Sequence, residues 1–330
     1  MKNSEVTQRS VFSGRKMTRR TDIFRIFATC SPNYQRREMK IIQPQYEIWE
    51  QAPGEEGIYK QVERAGRVCY KSEDHASTDT ARPFTMRMIA NQHTAMLEHA
   101  TVYLQAPHGT LPFYVNNRFS VVNTTEDDDF ITTNLRVLAE NHRLDDMQHL
   151  HDYTPNHERR ITVHFTTQIS ITREYNRHRV NSIAEQSTRY CNYGKNKFGN
   201  EITINLPSWV AEQESFSIKA EQGHDTFTAM CRNIDEGMTD EWSPLDYWLF
   251  ANLAAEFSYL NLIKGGCKPQ EARAILPLDT NTELVHTAFV RDWKHFFDLR
   301  AKGTTGAPHP DAKALALPLM EEFQKRGYID

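Results

Sequence analysis

From Ile161 to Ile169 the chain alternates without a break, placing Ile161, Val163, Phe165, Thr167 and Ile169 on one face, and this pattern predicts a β-strand. Helical spacing takes over elsewhere. Ile58, Val62, Ala65 and Val68 predict a helix over 57–71, and Phe84, Met88 and Ile89 predict another over 82–92. A longer helix is expected over 244–264, through Leu249, Leu253, Phe257 and Leu260, stopping at Gly265-Gly266. Leu315, Leu319 and Phe323 point inward from a last one over 311–326. Further strand signals lie at 101–105, 112–123 and 201–205, and Ser208 is placed to cap a helical stretch from Trp209 towards Ile234. The acidic run Glu126 to Asp129 reads as a solvated turn ahead of a helix or strand over 130–140, and 142–157 as a polar surface excursion. After the alternating strand, Ser170 predicts the N-cap of a short helix projecting Arg173 and Arg177 on one face. The chain then turns at Asn181-Ser182 and holds 185–189 against a sheet edge.

Composition narrows the class. With 330 residues, 39% of them hydrophobic and 11% aromatic, the chain buries a sizeable core as one elaborated domain or two, which excludes disorder throughout. No apolar run approaches the ~20 residues of a membrane span, and no leader opens the chain, so a cytoplasmic protein without membrane contact is expected. The five cysteines form no C-x-x-C pair, which argues against a disulfide framework and a structural zinc site. Residues 1–38 set nine bases against three acids without any period and read as a disordered basic extension outside the chemistry.

Candidate chemistry concentrates between Arg173 and Tyr190. Arg173, Arg177, His178, Arg179 and Arg189 stand among the carboxylates Glu174 and Glu185 and the hydroxyls of Ser182, Ser187 and Thr188, so donors for phosphate and acceptors for a sugar or base occur together. That mixture suits a nucleotide. A nucleic-acid patch using Tyr175 and Tyr190 for stacking is the rival, and the net charge of -4 counts against it. A metal site on His93, Glu98 and His99 is a second rival, weakened because the two histidines lack the i, i+4 spacing of a helical zinc pair; a structural hydrogen-bonded role for Glu98 and His99 is the alternative.

Arg177-His178-Arg179 followed by Ser182, Glu185, Ser187, Arg189 and Tyr190 fits R-H-R-x-x-S-x-x-E-x-S-x-R-Y, eight specified positions in fourteen, and resembles the signature of the flavin-dependent thymidylate synthases. Further matches upstream and downstream extend the resemblance to roughly residues 57–325. His93 to His99 is similar to the family's first motif. Cys267 to Leu278, with Ala272-Arg273, and Arg291 to Arg300, with His295-Phe296, are similar to its closing elements.

The resemblance implies synthesis of dTMP from dUMP, with 5,10-methylenetetrahydrofolate as carbon donor and FAD, reduced by NADPH, as hydride source. It implies that Glu174, Arg177, Glu185, Ser187, Thr188, Arg189, Arg273 and Arg300 bind dUMP, with Arg300 the catalytic residue. Cys69, His93, Arg177, His178, Arg179, Val180, Glu185, Arg291, His295 and Leu299 are implied to line FAD, His93 from another subunit of a homotetramer. No metal is implied. The fold is expected to be α+β, a central largely antiparallel sheet flanked by helices in one elaborated domain over 39–330, with 106–158 an insertion relative to the shortest members. The chain departs from the family pattern at Cys69, Ala95, Glu174 and Phe289, where Ser, Thr or Ser, Gln and Asn are common. No thiolate is required of Cys191, since nothing but the phosphate arginines stands near it in sequence to lower its pKa.

Overall fold

The computed structural model describes residues 39–211 and 223–330. The basic extension over 1–38 and the middle of the stretch from Trp209 to Ile234 lie outside them. The described residues divide into two compact units, residues 39–211 with 251–330, and residues 223–250.

In the larger unit, β1 (Lys40–Ile42) and β2 (Gln45–Trp49) lead into helices α1 (Gly54–Tyr70) and α2 (Ala81–Ala90). Strands β3 (Thr101–Pro107), β4 (Val121–Thr124) and β5 (Asp128–Asn134) precede α3 (Leu135–Glu140). Strand β6 (Arg160–Gln168), helix α4 (Ile169–Tyr175), strands β7 (Ser182–Glu185) and β8 (Thr203–Asn205), and the short α5 (Ser208–Ala211) follow. Helices α6 (Gly223–Glu236) and α7 (Pro244–Lys264) come next, then α8 (Pro269–Ala272), β9 (Asn281–Phe289), α9 (Val290–Phe297) and α10 (Pro310–Lys325). In the smaller unit Phe227 of α6 stacks on Phe250 of α7 at 5.8 Å.

The expected antiparallel sheet flanked by helices is present, with its strands distributed over more than one sheet. Strands run in the order β2-β6-β9-β7, all antiparallel, and β3-β5-β4 form a second antiparallel sheet, while β1 pairs with β8 in parallel. The alternating segment becomes β6, a central strand. Val163 and Phe165 are fully buried there, and Phe165 sits across from Leu284 of β9. Against one face of this sheet lies an aromatic core: Tyr175 meets Phe296 at 4.8 Å, Trp293 meets Phe296 at 5.1 Å, and Phe297 meets Phe323 at 5.1 Å. Each buried aromatic or leucine here contributes about 1.5–3 kcal/mol by leaving water, so α9 and α10 are fixed relative to β6 and β9. The inward set Leu315, Leu319 and Phe323 is buried as expected.

A second core joins Val102 and Leu104 of β3, Ile131 of β5, and Leu135 and Leu138 of α3 to Val62 and Phe84 from α1 and α2. Several local expectations are corrected in this region. Residues 112–123 are not one strand: Pro112, lacking an N–H, opens a 3-10 turn over Pro112–Asn116, and pairing begins only at Val121. The acidic run is not solvated at its end. Asp129 is buried and accepts from Gly109 N at 2.9 Å, Thr124 Oγ1 at 2.8 Å and His108 Nδ1 at 3.0 Å, which together hold its carboxyl below the ordinary range against the opposing effect of burial. The excursion over 142–157 is anchored too, since buried Asp146 accepts from Tyr114 Oη at 2.9 Å and buried His157 reaches Leu104 O at 3.1 Å. Among the described residues no helix is long and apolar enough to cross a membrane.

Candidate active site

The organising segment hangs from the end of the central strand. Ser170 is not the cap of α4. Extended Gln168 takes the N-cap position without a side-chain bond, and the free N–H groups of Ile169 and Ser170 donate to Thr280 O at 3.1 Å and Leu278 O at 3.0 Å, so neighbouring backbone does the work of a cap. Tyr175 ends the helix with its ring in the aromatic core and its hydroxyl donating to Ala312 O at 2.8 Å. Tight turns follow: His178 N donates to Tyr175 O, Arg179 N to Arg177 O, and Asn181 N to His178 O. They turn His178 inward, 5% exposed, while Arg177, Arg179 and Val180 face outward. Ser182 to Glu185, expected as a turn leading to a loop held against a sheet edge, instead form strand β7, itself the edge of the sheet, and the loop carrying Ser187 leaves from it.

Arg300 arrives from the other side. Helix α9 widens into a π turn over Asp298–Lys302, a form often met at functional sites, and Gly303 ends it with φ +73°. A Cβ at Gly303 would meet Pro308 Cδ at 2.7 Å and Gly306 O at 2.8 Å, so glycine is required both by conformation and by space. The Arg300 guanidinium donates Nη1 to Glu174 Oε2 at 2.5 Å, Nη2 to Glu174 O at 2.6 Å, and Nε to His178 Nε2 at 3.2 Å. Because Nε2 accepts, His178 is neutral. Burial, with Arg300 and His295 beside it, lowers its pKa to about 4. Three of the five N–H groups of Arg300 are thereby engaged, leaving one on each terminal nitrogen.

The loop after β7 is fastened at several points. Glu185 accepts from Thr172 Oγ1 at 2.7 Å and Asn176 Nδ2 at 3.0 Å, Gln186 N donates to Glu283 O at 2.8 Å, and Ser187 N donates to Cys69 O at 3.0 Å. Cys69 therefore takes part through its carbonyl, while burial pushes its thiol up to about 11. Burial also raises the thiol of Cys191. Both remain protonated at neutral pH, so neither is a ready thiolate. The structure brings Arg273 to Thr188, Nη1 to Oγ1 at 3.4 Å, across 85 residues of sequence. The Arg189 guanidinium lies 4.4 Å over the Tyr190 ring. Arg189 and Arg273 are both exposed and carry no carboxylate partner among the described residues.

Arg179, Val180 and Arg291 line a separate cleft of about 690 Å3 together with Arg160, Ala288 and Phe289. Arg160 was not singled out by sequence, yet it knits the cleft floor: Nη2 donates to Glu98 O at 3.1 Å and Ser182 Oγ at 3.2 Å, and burial lowers its pKa to about 10, still charged at neutral pH. Phe289, one of the departures from the family pattern, has the guanidinium groups of Arg160 at 5.4 Å and Arg291 at 5.0 Å from its ring centroid. The alternating pattern from Ile161 onward hid Arg160 as a strand-entry residue. His295 stays near His178, with ring centroids 5.8 Å apart, and Leu299 is half-buried in the π turn. His93 is exposed at the start of the turn Thr94–His99. Glu98 pairs with Arg136 at 2.5 Å and buried His99 places Nδ1 2.9 Å from Thr287 Oγ1, so these two neighbours have separate structural partners.

Three buried histidines set a pH limit on the fold. Burial lowers His99 and His286 to about 3 and His178 to about 4, against an ordinary value of 6.5. The unfolded chain protonates these rings near pH 6.5 and the folded one only near pH 4 to 3, so the unfolded state binds more protons between those values. Stability should therefore fall as pH drops through that window and be flat above about pH 7. Thermal unfolding measured from pH 7.5 down to 4.5 checks this; an unchanged midpoint across the series would mean the rings are not held neutral.

A sheet edge leading to hydroxyls opposite arginines without carboxylate partners among the described residues, in the same segment as a histidine held neutral by an arginine, is an arrangement suited to a phosphorylated ligand. The chain belongs to the thymidylate synthase complementing protein family, that of the flavin-dependent thymidylate synthases, whose model matches residues 120–326. Cys69 and His93 lie upstream of the matched range. Two solved structures of the UMP/dUMP methylase PolB from Streptomyces cacaoi are similar at low identity. The complex with 5-Br dUMP is 15% identical with a TM-score of 0.37, covering 87% of this chain and 93% of its own. The complex with 5-Br UMP is 16% identical with a TM-score of 0.39, covering 87% and 92%. No curated protein matches the chain. Family membership rests on the sequence match.

Proposed function

We propose that this protein makes dTMP from dUMP by reductive methylation, using 5,10-methylenetetrahydrofolate as carbon donor and FAD, reduced by NADPH, in a homotetramer whose sites are shared between subunits. The observation that carries the reading is the Arg300 clasp on Glu174 and His178, set in the same segment that places Ser187 and Thr188 opposite Arg273. Family membership supports the substrate. In this reading Ser187, Thr188, Arg189 and Arg273 hold the phosphate, Arg177 and Glu185 bound the nucleotide, and Arg300 meets the uracil with its two remaining N–H groups. Glu185 is already oriented by Thr172 and Asn176, so it enters binding without a rotamer search.

The residues present fit a flavin. A 690 Å3 cleft is in the range of cofactor sites, and it offers an aromatic wall at Phe289 with charged donors at Arg179 and Arg291. Bound FAD supplies the hydride, and this chain supplies position and charge. The residues assigned to it are divided in one chain between this cleft, the His178 and His295 side, and exposed His93, a division that sharing between subunits resolves. Because Cys69 and Cys191 are protonated, activation of the uracil falls to the preorganised donor on Arg300 rather than to sulfur.

The test is direct. Purified protein given dUMP, methylenetetrahydrofolate, FAD and NADPH should form dTMP, resolved by chromatography, and should bind FAD with its visible absorbance. Omission of any one component should stop product formation. Turnover that persists without flavin, or no turnover in a folded flavin-loaded protein, would overturn the reading.

A further inference from the structure

Part of the lining of the cleft that holds Arg179 and Arg291 comes from the stretch read in sequence as an insertion. Residues 117–120 form a turn organised by one side chain: Asn117 Oδ1 accepts from Phe119 N at 2.9 Å and lies 3.0 Å from Ser120 Oγ, which in turn lies 2.8 Å from Thr133 Oγ1 on β5. The turn is thus tied to a buried strand. Arg118 and Phe119 project from it into the cleft, exposed, with the Arg118 guanidinium 5.0 Å from the Phe119 ring centroid.

The arginines of this cleft fall into two kinds. Arg136 is satisfied by Glu98 and Glu140, and Arg160 donates to neutral oxygens that hold it in place. Arg118, Arg179 and Arg291 have no ion-pair partner among the described residues, each offering an open fork of donors. Glu98 and Glu140 are committed to Arg136, and burial raises the carboxyl of Asp292, the remaining acid at the rim. Three uncommitted guanidiniums converging on one cavity, with Phe119 and Phe289 as flat apolar surfaces, match a ligand that joins oxyanions to rings.

We propose that Arg118 contacts the diphosphate of the dinucleotide held in this cleft, joining Arg179 and Arg291 as a third guanidinium on it. Arg118 is then a binding residue contributed by the 106–158 stretch, outside the motifs that carry the family resemblance. The inference rests on the proposed flavin reaction only for which dinucleotide fills the site, FAD or the nicotinamide donor.

The experiment is titration of the full-length protein and Arg118→Ala with FAD, riboflavin, NADPH and inorganic pyrophosphate, read by flavin fluorescence or calorimetry. Arg118 is exposed and makes no packing contact in the core, so the variant should unfold at the same temperature as the parent. The expected result is FAD affinity weakened about ten- to a hundredfold, the range for one charge-assisted contact, with riboflavin affinity unchanged because riboflavin lacks the diphosphate. Loss confined to NADPH assigns the same contact to the other dinucleotide. If the parent binds no flavin yet binds pyrophosphate through Arg118, the flavin reading fails and the contact stands. Unchanged affinity for FAD, NADPH and pyrophosphate, equal weakening of FAD and riboflavin, or a parent that binds none of the three phosphate ligands overturns it.

Discussion

Arg300→Ala should lower kcat for dTMP formation by about 10²–10³, the loss expected when one preorganised donor to developing charge is removed, with a much smaller change in KM for dUMP. The structure explains why this arginine is costly to lose. It is 13% exposed, and three of its donors are spent on Glu174 and His178, so its remaining two N–H groups are fixed in direction before any substrate arrives. Alanine would also leave the Glu174 carboxylate unpaired and His178 Nε2 without its donor. Flavin content and the unfolding midpoint must therefore be measured with the kinetics. Arg300→Lys should recover little, because an ammonium cannot reach Glu174 Oε2, Glu174 O and His178 Nε2 as the planar fork does. A variant that folds, binds flavin and keeps its kcat would reduce Arg300 to a structural clasp.

The pairing with Glu174 refines this expectation. Where the family commonly has Gln, this chain places a carboxylate 2.5 Å from the guanidinium, which offsets its charge at the point where charge is proposed to develop. The geometry of the arginine is retained and its field is reduced. That consequence could not be read from the sequence, where Glu174 stood as an implied dUMP contact and a departure from the family pattern.

What the sequence disclosed and what it hid follow from the range of the interactions. The alternation over Ile161 to Ile169 and the inward set on α10 depend on periodicity within one element, and both stand in the structure. Arg177 to Tyr190 is a contiguous motif, so its proximity to a sheet edge was legible, but not that Ser182 to Glu185 within it form the edge strand. Ser170 misled because a local cap signal lost to carbonyls of Leu278 and Thr280 more than a hundred residues away. Asp129 misled for the same reason: an acidic run is solvated by default, and only the fold shows Gly109, Thr124 and His108 gathered round one carboxylate. The arginine cleft was legible only in part. The resemblance named Arg179 and Arg291, whereas Arg118, Arg136 and Arg160 read as ordinary arginines until β5, β6 and β9 bring them into the same cleft.

Arg273→Ala should do the opposite of Arg300→Ala, raising KM for dUMP about ten- to a hundredfold while kcat changes by no more than a few-fold. Arg273 is exposed on the 3-10 turn after α8, and its one hydrogen bond, to Thr188 Oγ1 at 3.4 Å, is long. It is therefore held loosely, with most of its donors free, as suits a residue that closes on a ligand rather than one fixed in advance. A phosphate carries the same charge before and during reaction, so a contact to it stabilises ground and transition states alike and is seen in KM. The partner loop explains why the loss should be partial: Ser187 and Arg189 remain, with Ser187 N fixed on Cys69 O at 3.0 Å whether or not Arg273 is present. Binding through Arg273 should also weaken with salt, since the guanidinium is solvent-exposed, and the KM of the parent should rise with ionic strength more steeply than that of the variant. Steady-state kinetics of both proteins at low and physiological salt give the comparison. If Arg273→Ala instead lowered kcat at unchanged KM, the phosphate assignment would belong elsewhere and Arg273 would act on the reacting ring.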